Sequence, residues 1–208
     1  VSRALRDAYD VSPETRKKVT ALAEELNFTP NKNAAALASG STKNIGVVIP
    51  FITNYYFSTV ISGIQEEAYN KGYNIILFVT NDDVDREKIL LKNIATTSLD
   101  GLLISISSNS DMQDHFEQLM QRGLPIVFFD RVPHEIHASK VMQSDFDGSF
   151  MATNHLIEKG YQKIAHIAGP KELNFTQERL KGYLGALEKA KLPQKEEYII
   201  FSGFSQGH

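Results

Sequence analysis

Five short stretches combine residue types able to recognise a polar molecule: 50–57, 80–83, 107–109, 130–131 and 169–179. Among them they offer the rings of Tyr56, Phe57 and Phe175, the hydroxyl of Ser107, the Asp130 carboxylate, and the guanidinium groups of Arg131 and Arg179. Apolar faces stack on rings while hydroxyl, amide and charged groups bond hydroxyls, so the set suits a neutral polar ligand such as a sugar. Reaction chemistry is not indicated. No G-x-S-x-G elbow, G-x-G-x-x-G loop or Walker A pattern occurs. The six histidines give no metal-ligand spacing; His134 and His137 share a Pro-containing loop without an adjacent third ligand. We therefore expect no enzyme, no cofactor and no metal.

Each stretch follows an apolar run, and this is what would bring them together. Runs at Ile45–Pro50, Asn74–Val79, Gly101–Ile106, Ile126–Asp130, Lys163–Ala168 and Tyr198–Phe201 read as strands. Amphipathic helices separate them; in Phe57–Lys71 the residues Phe57, Val60, Ile61, Ile64 and Ala68 form one stripe and Gly72 supplies the stop. Continuous apolar strands alternating with helices predict an α/β fold, a doubly wound parallel sheet covered on both faces. Ligands of such sheets bind beyond the C-terminal strand ends, where the strand order reverses.

The first 43 residues read differently. Val1–Arg6 looks like the end of one helix, and Ser12-Pro13-Glu14 starts another, with Ser12 as cap, Pro13 in the first helical position and Glu14 at the positive dipole end. Val19, Leu22, Ala23 and Leu26 recur at helical spacing and predict a buried stripe. After the Asn27–Asn31 break, the Ala-rich run 33–38 is under two turns long, well short of the roughly 12 residues an isolated helix needs; it should order only when held. The chain carries a formal net charge of −3, but residues 1–43 hold seven Lys/Arg against five Asp/Glu, a net of +2 that permits a nucleic-acid-facing front end. With 208 residues, 42% of them hydrophobic, the chain should bury one large domain with a small appendage. The absence of cysteine excludes disulfides and thiolate metal sites and fits a reducing compartment. No window approaches the roughly 18 apolar residues of a membrane span, and no export pattern opens the chain, so a cytoplasmic protein without membrane contact is expected.

Read in order, Val1-Ser2-Arg3-Ala4-Leu5, Val11-Ser12 with Thr15-Arg16, Asn27-Phe28-Thr29-Pro30-Asn31, Ala34–Leu37 and Ile45–Pro50 closely resemble the LacI family of repressors. Further echoes are Asp130-Arg131, Ile167–Pro170 and Arg179–Tyr183. The resemblance implies a helix-turn-helix headpiece (1–27), a hinge helix and linker (28–43) and a periplasmic-binding-protein-like sensor in two lobes (44–144 and 145–208). It implies a homodimer on palindromic operator DNA whose affinity is set by a small effector, a carbohydrate. Under it Arg3 reads base edges, Ser2, Ser12 and Asn31 touch the backbone, and Ala34 and Leu37 lie on a hinge helix whose leucine wedges the minor groove. Tyr56, Phe57, Asp130, Arg131 and Arg179 match effector-pocket positions, and Phe175 adds an aromatic face. The family pattern begins about twenty residues earlier and runs well past His208, so a fragment is expected; Tyr55 stands where a proline is common. The rival readings are a periplasmic-type sugar-binding protein and an α/β enzyme. Export would need a signal segment, and a capped helix with a Pro-Asn hinge would serve no purpose there.

Overall fold

The computed structural model describes residues 1–5, 11–28, 40–108, 113–133 and 135–202. Asn31, Ala34 and Leu37 lie outside the described residues. The chain divides into two compact units, Val1–Lys43 and Asn44–His208.

In the first unit, helix α1 spans Ser2–Leu5 and α2 spans Pro13–Glu25. The side chain of Ser12 caps α2 by accepting the Thr15 amide at 3.2 Å, and Glu14 pairs with Lys18 at 2.8 Å one turn on. The expected buried stripe is a correction. Leu22 and Leu26 are more than half exposed, and with Val1, Val19, Ala23 and Phe28 they line an open apolar groove. Among the described residues of this unit only Ala4 is buried.

The second unit is an α/β body. Strands β1 (Asn44–Ile49), β2 (Asn74–Val79), β3 (Gly101–Ile104), β4 (Ile126–Phe129) and β5 (Ser139–Val141) form one sheet, ordered β2-β1-β3-β4-β5 and parallel throughout. Between them run helices α3 (Tyr55–Asn70), α4 (Val84–Ile94) and α5 (Gln113–Gln121). Alternate strand residues point to opposite faces, and the helices divide accordingly. Val47, Ile49, Leu103 and Phe129 pack against Phe57, Val60, Ile61 and Ile64 of α3. On the other face Val48, Leu102, Ile104 and Phe128 pack against Leu91 and Ile94 of α4 and Phe116 and Leu119 of α5. This is the doubly wound core expected, and its strand order reverses between β1 and β3.

The chain then leaves the sheet through 142–144 into α6 (Asp145–Glu158), followed by β6 (His166–Ala168), α7 (Asn174–Lys189), a 3-10 turn (Glu196–Tyr198) and β7 (Ile199–Phe201). Strands β6 and β7 pair in parallel as a second, two-stranded sheet. Helices α6 and α7 pack closely because Gly182 has no side chain: a Cβ there would stand against the Phe146 carbonyl oxygen and 2.9 Å from the Phe150 amide nitrogen.

Several boundaries differ from the sequence expectation. The β6 run begins at His166 rather than Lys163, β7 at Ile199 rather than Tyr198, and β3 stops at Ile104. Strand β5 was not expected at all. At three residues, with alternating exposed and half-buried positions at the sheet edge, it carries no continuous apolar signal.

Candidate functional site

The strand ends converge on an open cleft of about 1220 Å³. Its lining comes from the segment after β1 (Phe51–Asn54, Tyr56, Phe57), the turn after β2 (Asn81–Asp83 and Arg86), Asp130 and Arg131 after β4, Gln143 after β5, and Phe175 and Arg179 on α7. The last two stand on the helix between β6 and β7.

One wall is set by how α3 begins. The side-chain oxygen of Asn54 caps the helix by accepting the Tyr56 amide at 2.8 Å, which turns the first helical residues toward the cleft. The Tyr56 and Phe57 rings meet edge to face at 5.2 Å. Phe57 is 3% exposed and anchors the core with its body while its edge borders the cleft. The hydroxyl of Tyr56 accepts a hydrogen bond from the Gln143 amide at 2.5 Å. Burial, with the nearby Asp130 carboxylate, holds that phenol above its ordinary proton affinity. Asp130 itself leaves β4 in the left-handed backbone region (φ 59°) and lines the cleft. Its own burial raises its pKa above the usual carboxylate value, against the pull of the neighbouring Arg131.

The floor is a buried polar network. Arg131, 5% exposed, donates to the Asp82 carboxylate at 2.6 Å and to the Ser108 hydroxyl at 3.1 Å. Ser108 donates to the same carboxylate through its amide (2.8 Å) and its hydroxyl (2.7 Å). Beneath lie Thr80, Glu87 and Ser107, all with no exposed surface. The Ser107 amide donates to Glu87 at 2.6 Å and its hydroxyl to Thr80 at 3.1 Å. Ser107, expected to face the ligand, is thus one layer behind it. Its polar groups are taken up by Glu87 and Thr80, and it supports the floor.

Opposite, the Arg179 Nε donates to the nearly buried Asp145 carboxylate at 2.7 Å, and its guanidinium lies 4.7 Å from the Phe175 ring centre. Both cleft arginines expected from the sequence therefore already have a carboxylate partner. Asp145 and Gln143 were missed as site residues, and Asp82, inside the 80–83 stretch, was not singled out. Gln143 follows the three-residue strand that the hydrophobic pattern did not reveal; once β5 is known, the strand-end rule points to it.

On the first unit, Ser2 and Arg3 lie on α1, and Ser12 caps α2. Among the described residues no group of three His, Cys, Asp or Glu side chains is placed to hold a metal, and no helix is long and apolar enough to cross a membrane.

Two family descriptions match this sequence. Residues 42–205 match periplasmic binding proteins and the sugar-binding domain of the LacI family, and residues 1–31 match the bacterial regulatory proteins of the lacI family. The chain is 31% identical over 206 residues to the HTH-type transcriptional repressor PurR of Vibrio parahaemolyticus, covering 98% of this chain and 61% of that protein. The chain thus spans about three fifths of the length of the curated relatives it matches. A putative ribose operon repressor from Burkholderia thailandensis is similar in structure, with a TM-score of 0.72 and 30% identity, over 76% of this chain and 60% of that one. So is a periplasmic binding protein/LacI transcriptional regulator from Alkaliphilus metalliredigens complexed with D-xylulofuranose, with a TM-score of 0.64 and 32% identity, over 80% of this chain and 58% of that one.

Proposed function

Because this chain belongs to the LacI family of bacterial regulatory proteins, we propose that it is the DNA-binding and sensing part of a cytoplasmic transcription repressor. In this reading residues 1–27 and the hinge at 28–43 hold palindromic operator DNA as a homodimer. The lobes at 44–144 and 145–208 close on a small neutral effector, a sugar. Effector and operator affinities are then reciprocally coupled.

The observation that carries the effector reading is the state of the cleft's charges. Arg131 is matched by Asp82 and Arg179 by Asp145, so the cleft offers rings and hydrogen-bonding groups with its two inner cations already neutralised. An anionic effector would have to compete with those carboxylates; a polyol would not. A sugar, D-xylulofuranose, is also the molecule complexed with the Alkaliphilus relative, and the Burkholderia relative is named for a ribose operon. The match of residues 1–31 to the regulatory headpiece supports a regulator over a periplasmic sugar carrier.

The reading is tested on the full-length protein by titrating a fluorescent palindromic operator at rising salt, with and without candidate sugars. A repressor gives affinity that depends on sequence, falls steeply with salt and shifts with one sugar by roughly 5–150-fold. Equal affinity for scrambled DNA, or no response to any sugar, would sink it. In the same assay Arg179→Ala is expected to remove the sugar response while effector-free operator affinity stays within about twofold, as coupling is lost without a change in DNA contacts. Retention of the full response would take Arg179 out of the site.

A further inference from the structure

We propose that Phe51, which the sequence did not single out, is the first lobe's stacking surface for the ring of the effector, with Phe175 as its counterpart in the second lobe. The proposal rests on the sensor reading above and names the residue through which that site selects a cyclic sugar over an open-chain polyol.

The pair expected to stack, Tyr56 and Phe57, is largely occupied. Phe57 is 3% exposed and clustered with Val47, Ile49 and Phe129, so it has almost no surface left for a ligand. Tyr56 is half-buried; its ring meets Phe57 at 5.2 Å and its hydroxyl is committed to Gln143. Phe51 is half-buried too. It packs on the same apolar cluster as Phe57 yet lines the cleft, so part of its surface belongs to the cleft.

The Phe51 ring is also held in place. The guanidinium of Arg131 lies over it, 5.8 Å from the ring centre, and is itself anchored by Asp82 at 2.6 Å and Ser108 at 3.1 Å. The second lobe repeats the arrangement. Phe175 is half-buried, lines the cleft and carries the guanidinium of Arg179 at 4.7 Å, which Asp145 anchors at 2.7 Å. Each lobe thus gives the cleft a phenyl ring tied to an arginine whose charge is already met. Rings ordered before the ligand arrives lose little freedom on binding, and a preorganised site gains affinity for that reason. A phenyl ring has no hydrogen-bonding group, so it selects an apolar patch that lies flat on it, such as the C–H face of a furanose or pyranose. An open-chain polyol carries similar hydroxyls but presents no such fixed face.

The test pairs each cyclic sugar with its alditol: D-glucose with D-glucitol, D-xylose with xylitol, and D-ribose with ribitol. Affinities for the full-length protein are measured by calorimetry. For at least one pair the sugar is expected to bind about tenfold or more tightly than its alditol. Phe51→Leu keeps an apolar side chain in the cluster but has no flat face. It should cut that preference by about tenfold, the low end of what one lost apolar contact costs a bound ligand, while affinity for the alditol stays within about twofold. Phe51→Tyr, which keeps the ring, should restore the preference. Both ligands are measured on the same variant, so a loss of folded protein lowers both alike and leaves their ratio unchanged. A preference that survives Phe51→Leu, one that Phe51→Tyr fails to restore, or alditols binding wild-type protein as tightly as the sugars overturns the proposal and leaves the sensor reading intact. Absence of binding by all three sugars counts against the sugar-sensor reading itself and takes the stacking proposal with it.

Discussion

Gly182→Ala is expected to destabilise the sensor unit by about 2 kcal/mol and to abolish its response to effector, although alanine is the better helix former. Two effects compete at this position. Alanine in a helix interior gains roughly 1 kcal/mol over glycine. Against this, the added methyl would sit on the Phe146 carbonyl oxygen and within 2.9 Å of the Phe150 amide nitrogen, both backbone atoms of α6 that cannot rotate away. The helices must separate, and overpacking of this kind typically costs 1–3 kcal/mol, near the upper end where backbone is the obstacle. The functional loss follows from position. Arg179 lies one turn before Gly182 on α7, and its partner Asp145 opens α6. Forcing the helices apart loosens the pair that holds one wall of the cleft. Urea unfolding and sugar titration check both halves. A variant more stable than wild type would mean that the close approach of the two helices is wrong.

Arg131→Met is expected to cost about 3–5 kcal/mol, more than any exposed ion pair in the molecule could. The guanidinium is 5% exposed and bonds Asp82 and Ser108, so its removal leaves a mostly buried carboxylate with, among the described residues, the two Ser108 donors. The surface pair between Glu14 and Lys18 has side chains about four-fifths and three-quarters exposed, and breaking it should change stability by well under about 1 kcal/mol. Removing the second charge should recover most of the loss: Arg131→Met with Asp82→Leu is expected to be markedly more stable than Arg131→Met alone, since an apolar pair of similar volume replaces a buried ion pair at little net cost. Measured unfolding energies that simply add would show that the two side chains act independently and that the floor is not one network.

Much of this was legible from residue order. Apolar runs of four to six residues between amphipathic helices imply the parallel sheet, and the strand-end rule then selects Tyr56, Asp130, Arg131, Phe175 and Arg179, which the structure brings to one cleft. The Ser12-Pro13-Glu14 cap is likewise local chemistry, and the helix starts where it should. The rule failed where its premise was weak. Strand β5 has no periodic signal, so Gln143 went unnoticed. Ser107 follows β3 as the rule requires, but the rule gives a position along the strand and not a depth.

Sequence by itself determined the elements and their order, because helix caps, hydrophobic periodicity and turn residues act over a few neighbouring positions. It also determined which residue types stand at the strand ends. Only the tertiary structure decided their employment. Arg131 is neutralised by a residue 49 positions away and Arg179 by one 34 positions away. Ser107 is buried behind Glu87. Those outcomes rest on burial and on partners distant in the chain, and a pattern read along neighbouring residues carries neither.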